Sequence, residues 1–401
     1  MSLKIRFKSV IHRLQVLMLP IRISFAKSGH QKDLIIFDDI FPFPYSDWRV
    51  REFMAYLDFF ERAEVNSGKL THNGIEVYKG FESDLKLLKS NHAKSTERVF
   101  PLTRSTSFRA KLAYCVFLNN AYAFFPFFKK FNLPFAFTLY PGGGFRMNDR
   151  KIDNRLKKIF SSELFRHVFV NMPFVKKYLI EKLGVPESKI TYIYGTPIKV
   201  NNIEGVAFQK DMEKIRVLFT AHKYSKGGVD KGFDLFCETA HYFQSNTSLE
   251  FIVIGKFSQE DQVVPVKNII YYGEVLPDQL FETFKGCHMV LSPNRFSVLG
   301  NGSFDGFPTA SVVHAASAGC LMMITDYFNA SLELGLEDGN DFVKIEPKVQ
   351  NIIEKIEHFL KNKRQIAAIA ENGRLKILNL YNEKQQLQQR LEVLEKLIRT
   401  S

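Results

Sequence analysis

The sequence holds little cysteine and no long uninterrupted apolar run, and each scarcity closes off a class of protein. The four cysteines, Cys115, Cys237, Cys287 and Cys320, are scattered in apolar surroundings. Their spacing fits neither a metal site nor a disulfide framework, which leaves buried free thiols in a reducing compartment. No apolar stretch approaches the roughly 20 residues that a membrane-spanning helix needs. Lys, Arg and His interrupt the lead segment 4–24, and no small-residue cleavage site stands out, so no signal peptide is expected. Zinc-finger spacing and RNA-binding aromatic signatures are also missing, and nucleic acid is not expected as a partner. There is no internal repeat and no low-complexity block.

What is present is a chain of 401 residues, 45% apolar and 24% charged, which is long for one core and implies two folded domains. Its formal net charge of +13 calls for an anionic partner: a membrane face or a phosphate-bearing small molecule. Residues 1–32 form a basic amphipathic segment, in which Lys4, Arg6, Lys8, His12, Arg13, Arg22 and Lys27 accompany Ile5, Phe7, Val10, Ile11, Leu14, Val16, Leu17 and Met18. Such a segment fits peripheral contact with an anionic membrane, its cations on lipid phosphates, and equally an ordinary surface helix.

Strand and helix patterns alternate through both halves. In residues 33–200 the apolar runs 33–38, 135–140, 167–170 and 191–194 read as buried parallel strands. Residues 75–78 make a second-strand candidate, and the aromatic-dense 112–128 reads as a core helix. Residues 201–211 form a linker and 212–380 a second alternating domain, with strands at 216–221, 251–255, 269–273 and 288–291. Leu387, Leu391, Leu394 and Leu397 recur at helical spacing in a closing helix over 381–401. The fold class is therefore α/β, with two doubly wound Rossmann-like domains facing across a cleft.

Residues 292–326 organise the second domain as strand, Gly-rich loop, helix and strand. The loop sits at a strand's carboxyl end, where open α/β sheets bind ligands against loop amides and the next helix's N-terminus. Asp305, Gly306, Phe307, Pro308 and Thr309 lie there; Asp305 reads as a ligand contact or as a turn cap beside Gly306. In the first domain, Gly142, Gly143 and Gly144 follow another strand end and allow backbone amides close to a ligand, or simply a sharp turn. Arg146, Arg150 and Lys151 beyond them suit phosphate or solvent. Asp38 and Asp39 end the first strand and serve either an acceptor hydroxyl or as loop caps.

Four segments in order resemble a retaining nucleotide-sugar glycosyltransferase of the GT-B architecture, in the large family 4 group. GVPESKITYIYGTPI (184–198) looks like the hinge, and RVLFTAHKYSKGGVDKGFDLF (216–236) like the donor-phosphate strand and loop. IIYYGEVLPDQLFETFKGCHMVLSPN (269–294) looks like the lead to the donor site, and DGFPTASVVHAASAGC (305–320) like the donor-sugar loop and its helix. The resemblance implies that Lys231 meets the donor diphosphate, with the family's companion arginine falling at His222 or Lys223. A solvated lysine at a helix start is the other reading of Lys231. Asp305 stands where the family's first acid contacts the hexose. His314 stands, one residue displaced, where a glutamate would hold the ribose; an imidazole can bond a hydroxyl but not as a two-oxygen acceptor.

The resemblance further implies transfer of a hexose-like unit from a nucleotide diphosphate donor to a glycan or lipid-linked glycan. The setting would be surface polysaccharide synthesis of the lipopolysaccharide or capsule type, in the cytoplasm or at the inner membrane face. Catalytic duty falls on Asp305 and Lys231, with no cofactor, no metal and no protein nucleophile. A nucleotide-sugar epimerase of the same fold and an inactive GT-B subunit, the latter suggested by His314, are the alternatives.

Overall fold

The computed structural model describes residues 31–71, 74–200 and 202–400. The basic lead segment lies almost wholly outside them. The first sheet is built from β1 (Lys32–Asp38), β2 (Ala63–Ser67), β5 (Val99–Pro101), β6 (Ala110–Val116), β7 (Phe135–Leu139), β8 (Phe165–Val170) and β9 (Ile190–Tyr192). A separate antiparallel hairpin, β3 (Lys69–Thr71) with β4 (Gly74–Glu76), projects from it. The sheet order is β5-β2-β1-β6-β7-β8-β9, and every pairing is parallel. Helices α1 (Asp47–Phe59), α2 (Phe81–Asn91), α3 (Ala93–Thr96), α4 (Leu118–Lys130), α5 (Arg150–Phe160) and α6 (Pro173–Glu181) connect these strands.

The second sheet contains β10 (Ile215–Thr220), β11 (Leu249–Ile254), β12 (Ile269–Gly273), β13 (Met289–Ser292), β14 (Leu321–Ile324) and β15 (Val343–Lys344). Its order is β12-β11-β10-β13-β14-β15, again all parallel. Helices α7 (Phe233–Tyr242), α8 (Pro277–Lys285), α9 (Ala310–Ser317), α10 (Ala330–Glu333), α11 (Val349–Lys361) and α12 (Lys363–Leu380) serve it, before α13 (Glu383–Arg399) ends the chain. The apolar runs in β1, β7, β10 and β14 are buried on both faces, as strands sandwiched between helix layers must be. Among the described residues no helix is long and apolar enough to cross a membrane.

Two element assignments made on the sequence fail. The stretch 112–128 is not one helix: β6 pairs with β1 and β7, Phe117 breaks the run at φ 71°, and α4 follows. A continuous apolar run carries no period to separate strand from helix, and only the pairing decides. The strand beside β1 is β2, not 75–78, which belongs in part to the small hairpin.

Helix α13 leaves the second domain and packs on the first. Glu383 pairs with Arg51 of α1 at 3.2 Å, Gln386 donates to the Tyr194 carbonyl at 2.7 Å, and Leu394 and Ile398 join the core beneath α1. Residues 201–211 contain a short 3-10 turn, Val206–Gln209, whose Val206 and Ala207 are buried against Gly319. The segment between the domains is therefore a packed strap.

Candidate active site

The carboxyl ends of both sheets face one interdomain cleft of about 270 Å³. On the C-terminal side, β10 delivers Ala221 and His222, β11 delivers Gly255, β12 delivers Glu274, and β13 leads to Asn294. The 3-10 turn Lys226–Lys231 and the loop before α9 complete that wall with Lys231, Asp305, Gly306, Pro308 and Thr309.

Lys231 is the cation of this wall. Its side chain is 7% exposed and its Nζ lies 2.5 Å from Asp305 Oδ2 and 3.9 Å from Asp230 Oδ2. The ammonium also sits 4.8 Å from the Tyr224 ring centroid. Burial works against its charge, but Asp305 and Tyr224 outweigh that and raise the lysine above its ordinary value, so it is an ammonium at neutral pH. The backbone is shaped to put it there. Gly227, Gly228 and Gly232 all have φ between 64° and 71°, and Asp230 ties the loop by accepting from the Ser225 amide and hydroxyl. Gly232 has no room for a Cβ, which would lie 2.3 Å from the Pro293 carbonyl oxygen.

The Asp305–Thr309 loop approaches from the opposite flank of this wall. Its carbonyls are held by tyrosines: Tyr194 donates to Phe307 O at 2.8 Å and Tyr381 to Pro308 O at 3.5 Å. No side chain caps the N-terminus of α9, and Thr309, Ala310 and Ser311 line the cleft there. Backbone N–H groups and the helix dipole at such an end favour an anion. His314, one turn further along α9, also reaches the cleft. Burial lowers its basicity, opposed by Asp47 of the N-terminal domain. His222 is likewise held neutral by burial, which outweighs the opposing charge of Glu274.

His222, Lys231, Asp305, Gly306, Pro308, Thr309 and His314 are thus brought to one cavity. Other sequence candidates are placed elsewhere. Lys223 turns away to pair with Asp261 at 2.9 Å. Phe307 lends its carbonyl, but its ring is buried against Phe342. Asp38 is fully buried, accepts from the Ile40 and Phe41 amides and pairs with Arg49 at 3.0 Å, which makes it a loop cap. Asp39 lies 3.4 Å from the same guanidinium. Gly142, Gly143 and Gly144 form a turn over the start of α4. A Cβ on Gly143 would lie 2.2 Å from Phe117, and one on Gly144 2.0 Å from Asn119. Gly143 and Gly144 thus make room for side chains of their own domain, whereas a Cβ on Gly142 would meet nothing within 4 Å.

The N-terminal wall was missed on the sequence. It consists of Tyr45, Asp47, Trp48, Phe117, Tyr140 and Asn171. Trp48 meets Tyr140 edge-on at 4.7 Å and Phe117 at 5.7 Å, so the rings hold one another in place. The Arg49 guanidinium lies 5.2 Å from the Trp48 centroid and 5.3 Å from that of Phe117. The signal available was the Pro-rich loop between β1 and α1, which delivers Tyr45, Asp47 and Trp48 at a strand's carboxyl end.

Two parallel sheets with ligand loops on facing edges, and a last helix returning to the first domain, match solved structures over nearly the whole chain. The HepE protein of Anabaena, solved in complex with UDP and glucose, superposes with a TM-score of 0.62 at 13% identity, covering 92% of this chain and 100% of that one. The fold is GT-B. Sucrose-phosphate synthase from Thermosynechococcus elongatus gives the same TM-score, identity and coverage. The GT-B protein TarM of S. aureus, in complex with Fondaparinux, alpha-GlcNAc-glycerol and UDP, superposes at 0.53 with 16% identity over 71% of this chain and 55% of its own. Residues 235–392 match the protein family described as Glycosyl transferase-like. No curated protein matches the chain in sequence.

Proposed function

We propose that this GT-B protein transfers a hexose-like sugar, with retention, from a nucleotide diphosphate donor to a glycan or lipid-linked glycan acceptor in surface polysaccharide synthesis. The observation that carries the reading is the convergence of Lys231, Asp305 and the uncapped start of α9 on one interdomain cavity. A diphosphate leaving group gathers negative charge as its glycosidic bond breaks. A buried ammonium and preorganised amides stabilise that charge more in the transition state than in the ground state. Asp305, beside the ammonium, would accept hydroxyl hydrogen bonds from the donor sugar. His314 would meet the ribose through one ring nitrogen, a narrower contact than a carboxylate makes. The aromatic wall of Trp48, Tyr140 and Phe117 would receive the acceptor. In this reading the incoming hydroxyl attacks the anomeric carbon on the face from which the nucleotide departs, the bond to the diphosphate oxygen breaks, and that oxygen takes the hydroxyl proton, so no protein nucleophile and no metal takes part.

Calorimetric titration with UDP and GDP, with Lys231→Ala as control, tests the donor site. Binding of either nucleotide that weakens in the variant supports the proposal. Binding of neither nucleotide, together with no nucleotide release from a panel of nucleotide sugars, would assign the chain to a non-catalytic subunit role.

A further inference from the structure

We propose that the outer face of α5, with the end of α4, is a docking surface for an anionic lipid bilayer. Ile152, Leu156 and Ile159 turn into the core, and a helix advancing 3.6 residues per turn then places Arg150, Lys151, Arg155, Lys157 and Lys158 on one outward arc. Lys129 and Lys130, both exposed, end the neighbouring α4.

The charges on this face are uncompensated. Among the described residues none of these cations has a carboxylate oxygen within 4.0 Å. The two acids nearby are engaged otherwise: Asp149 caps α5 and pairs with Arg146 at 2.8 Å, and Asp153 accepts from the Tyr178 hydroxyl. Elsewhere cations share acids, as Arg62 and Lys111 share Asp33, and Lys214 and Arg216 share Glu250.

Aromatic rings hold the cationic side chains in place of acids. Arg155 lies 4.9 Å and Lys158 5.8 Å from the Tyr122 centroid, while Lys129 and Lys158 both lie 6.0 Å from that of Phe125. Like charges kept adjacent without counter-ions favour a polyanion that neutralises them together. Phe125 is buried and Tyr122 half-buried, and both already carry these cations, so neither ring is offered to nucleic-acid bases for stacking. An outward cationic strip about 16 Å long suits a flat anionic surface, to which each basic residue contributes roughly a fivefold gain in partition. Helix α5 also starts beside the cleft: the loop before it lines the cleft at Pro141, and its Met147 amide donates to Gly302 O of the other domain at 3.0 Å. A bilayer on this face would bring lipid-linked acceptors near the aromatic wall.

The test is co-sedimentation of the full chain with vesicles of phosphatidylcholine containing phosphatidylglycerol, against vesicles of phosphatidylcholine alone. Binding to the anionic vesicles only is expected, falling steeply with salt as the screening length shrinks from about 10 Å at 0.1 M to about 3 Å at 1 M. The triple variant Arg155→Glu, Lys157→Glu and Lys158→Glu should lose at least about a hundredfold in partition. Lys361→Glu with Arg364→Glu, on the far domain, should lose less than about threefold. Circular dichroism and UDP titration of the triple variant verify the fold and keep this result separate from that of the donor site. Unchanged vesicle binding in the triple variant would overturn the proposal, locating adhesion elsewhere in the chain. So would wild-type binding to soluble polyphosphate or duplex DNA but not to anionic vesicles.

Discussion

Lys231 and Asp305 hold each other at 2.5 Å in the cleft, so the two groups proposed to divide the donor between them are paired when nothing lies between them. A diphosphate must compete with Asp305 for the ammonium. Lys231→Ala is therefore expected to weaken UDP binding roughly tenfold to a hundredfold, the range for a charge-assisted hydrogen bond. Asp305→Asn removes the competitor: UDP should bind at least as tightly as to wild type, while sugar transfer falls by about a hundredfold. Calorimetry and turnover measured on the same preparations check both halves, and equal loss of nucleotide binding in the two variants would contradict the exchange.

Glu52 and Arg390 are a second opposed pair, buried where α13 crosses α1. Glu52 accepts from the hydroxyls of Tyr56, Tyr114 and Tyr140, whereas no guanidinium nitrogen of Arg390 has a hydrogen-bond partner among the described residues. Burial opposes the arginine's charge, and Tyr140 and Glu52 more than offset it. Glu52→Gln leaves a buried cation uncompensated and should cost about 3 kcal/mol or more. Arg390→Met added to Glu52→Gln should restore most of that loss in denaturant unfolding.

His288 should make stability fall in acid. Its Nδ1 accepts from the Arg216 amide at 3.0 Å and its Nε2 faces the Asp211 carbonyl at 2.7 Å, which together fit only the neutral ring protonated at Nε2. Burial depresses it from 6.5 to about 4, and burial, then Lys396, do the same to His167. The unfolded chain takes up these protons near pH 6.5 and the folded chain only near 4. The stabilisation is thus complete above 6.5 and lost between 6.5 and 4, at most about 3 kcal/mol per histidine. His288→Gln should reduce the slope of unfolding free energy against pH in that window.

Gly143 tests whether the glycine run serves packing. Its φ is 51° and a Cβ would lie 2.2 Å from Phe117, whereas Gly184, at φ 68°, has nothing within 4 Å. Gly184→Ala should cost about 1 kcal/mol for backbone strain alone. Gly143→Ala should cost about 2 kcal/mol more through the displaced ring, and thermal unfolding of the two variants compares them directly.

Much of the architecture was legible because parallel strands buried on both faces must be apolar throughout, and the runs at β1, β7, β10 and β13 are too short for helices and end at loop residues. The helix α8 was legible from Pro277 at its start and its apolar spacing. The C-terminal wall of the cleft was legible where position in a strand–loop–helix unit decides what lines it, as for Lys231 and Asp305. It was not legible where a nearby acid decides: Lys223 and Lys231 look alike in sequence, and Asp261 claims the first. The N-terminal wall of the cleft stayed hidden because it is assembled by contact between Trp48, Phe117 and Tyr140, residues far apart in the chain.

The polypeptide passes between the lobes twice, once after β9 and again between α12 and α13, and the two passages touch: a Cβ on Gly195 would lie 2.5 Å from the Tyr381 ring. The lobes also meet away from this crossing, where the Met147 amide donates to Gly302 O at 3.0 Å and Phe174 stacks on Phe328. Tyr381 and Tyr194 grip the carbonyls of Pro308 and Phe307 at the crossing itself. A displacement of the two crossing passages would therefore be handed through those hydroxyls to the Asp305–Thr309 backbone.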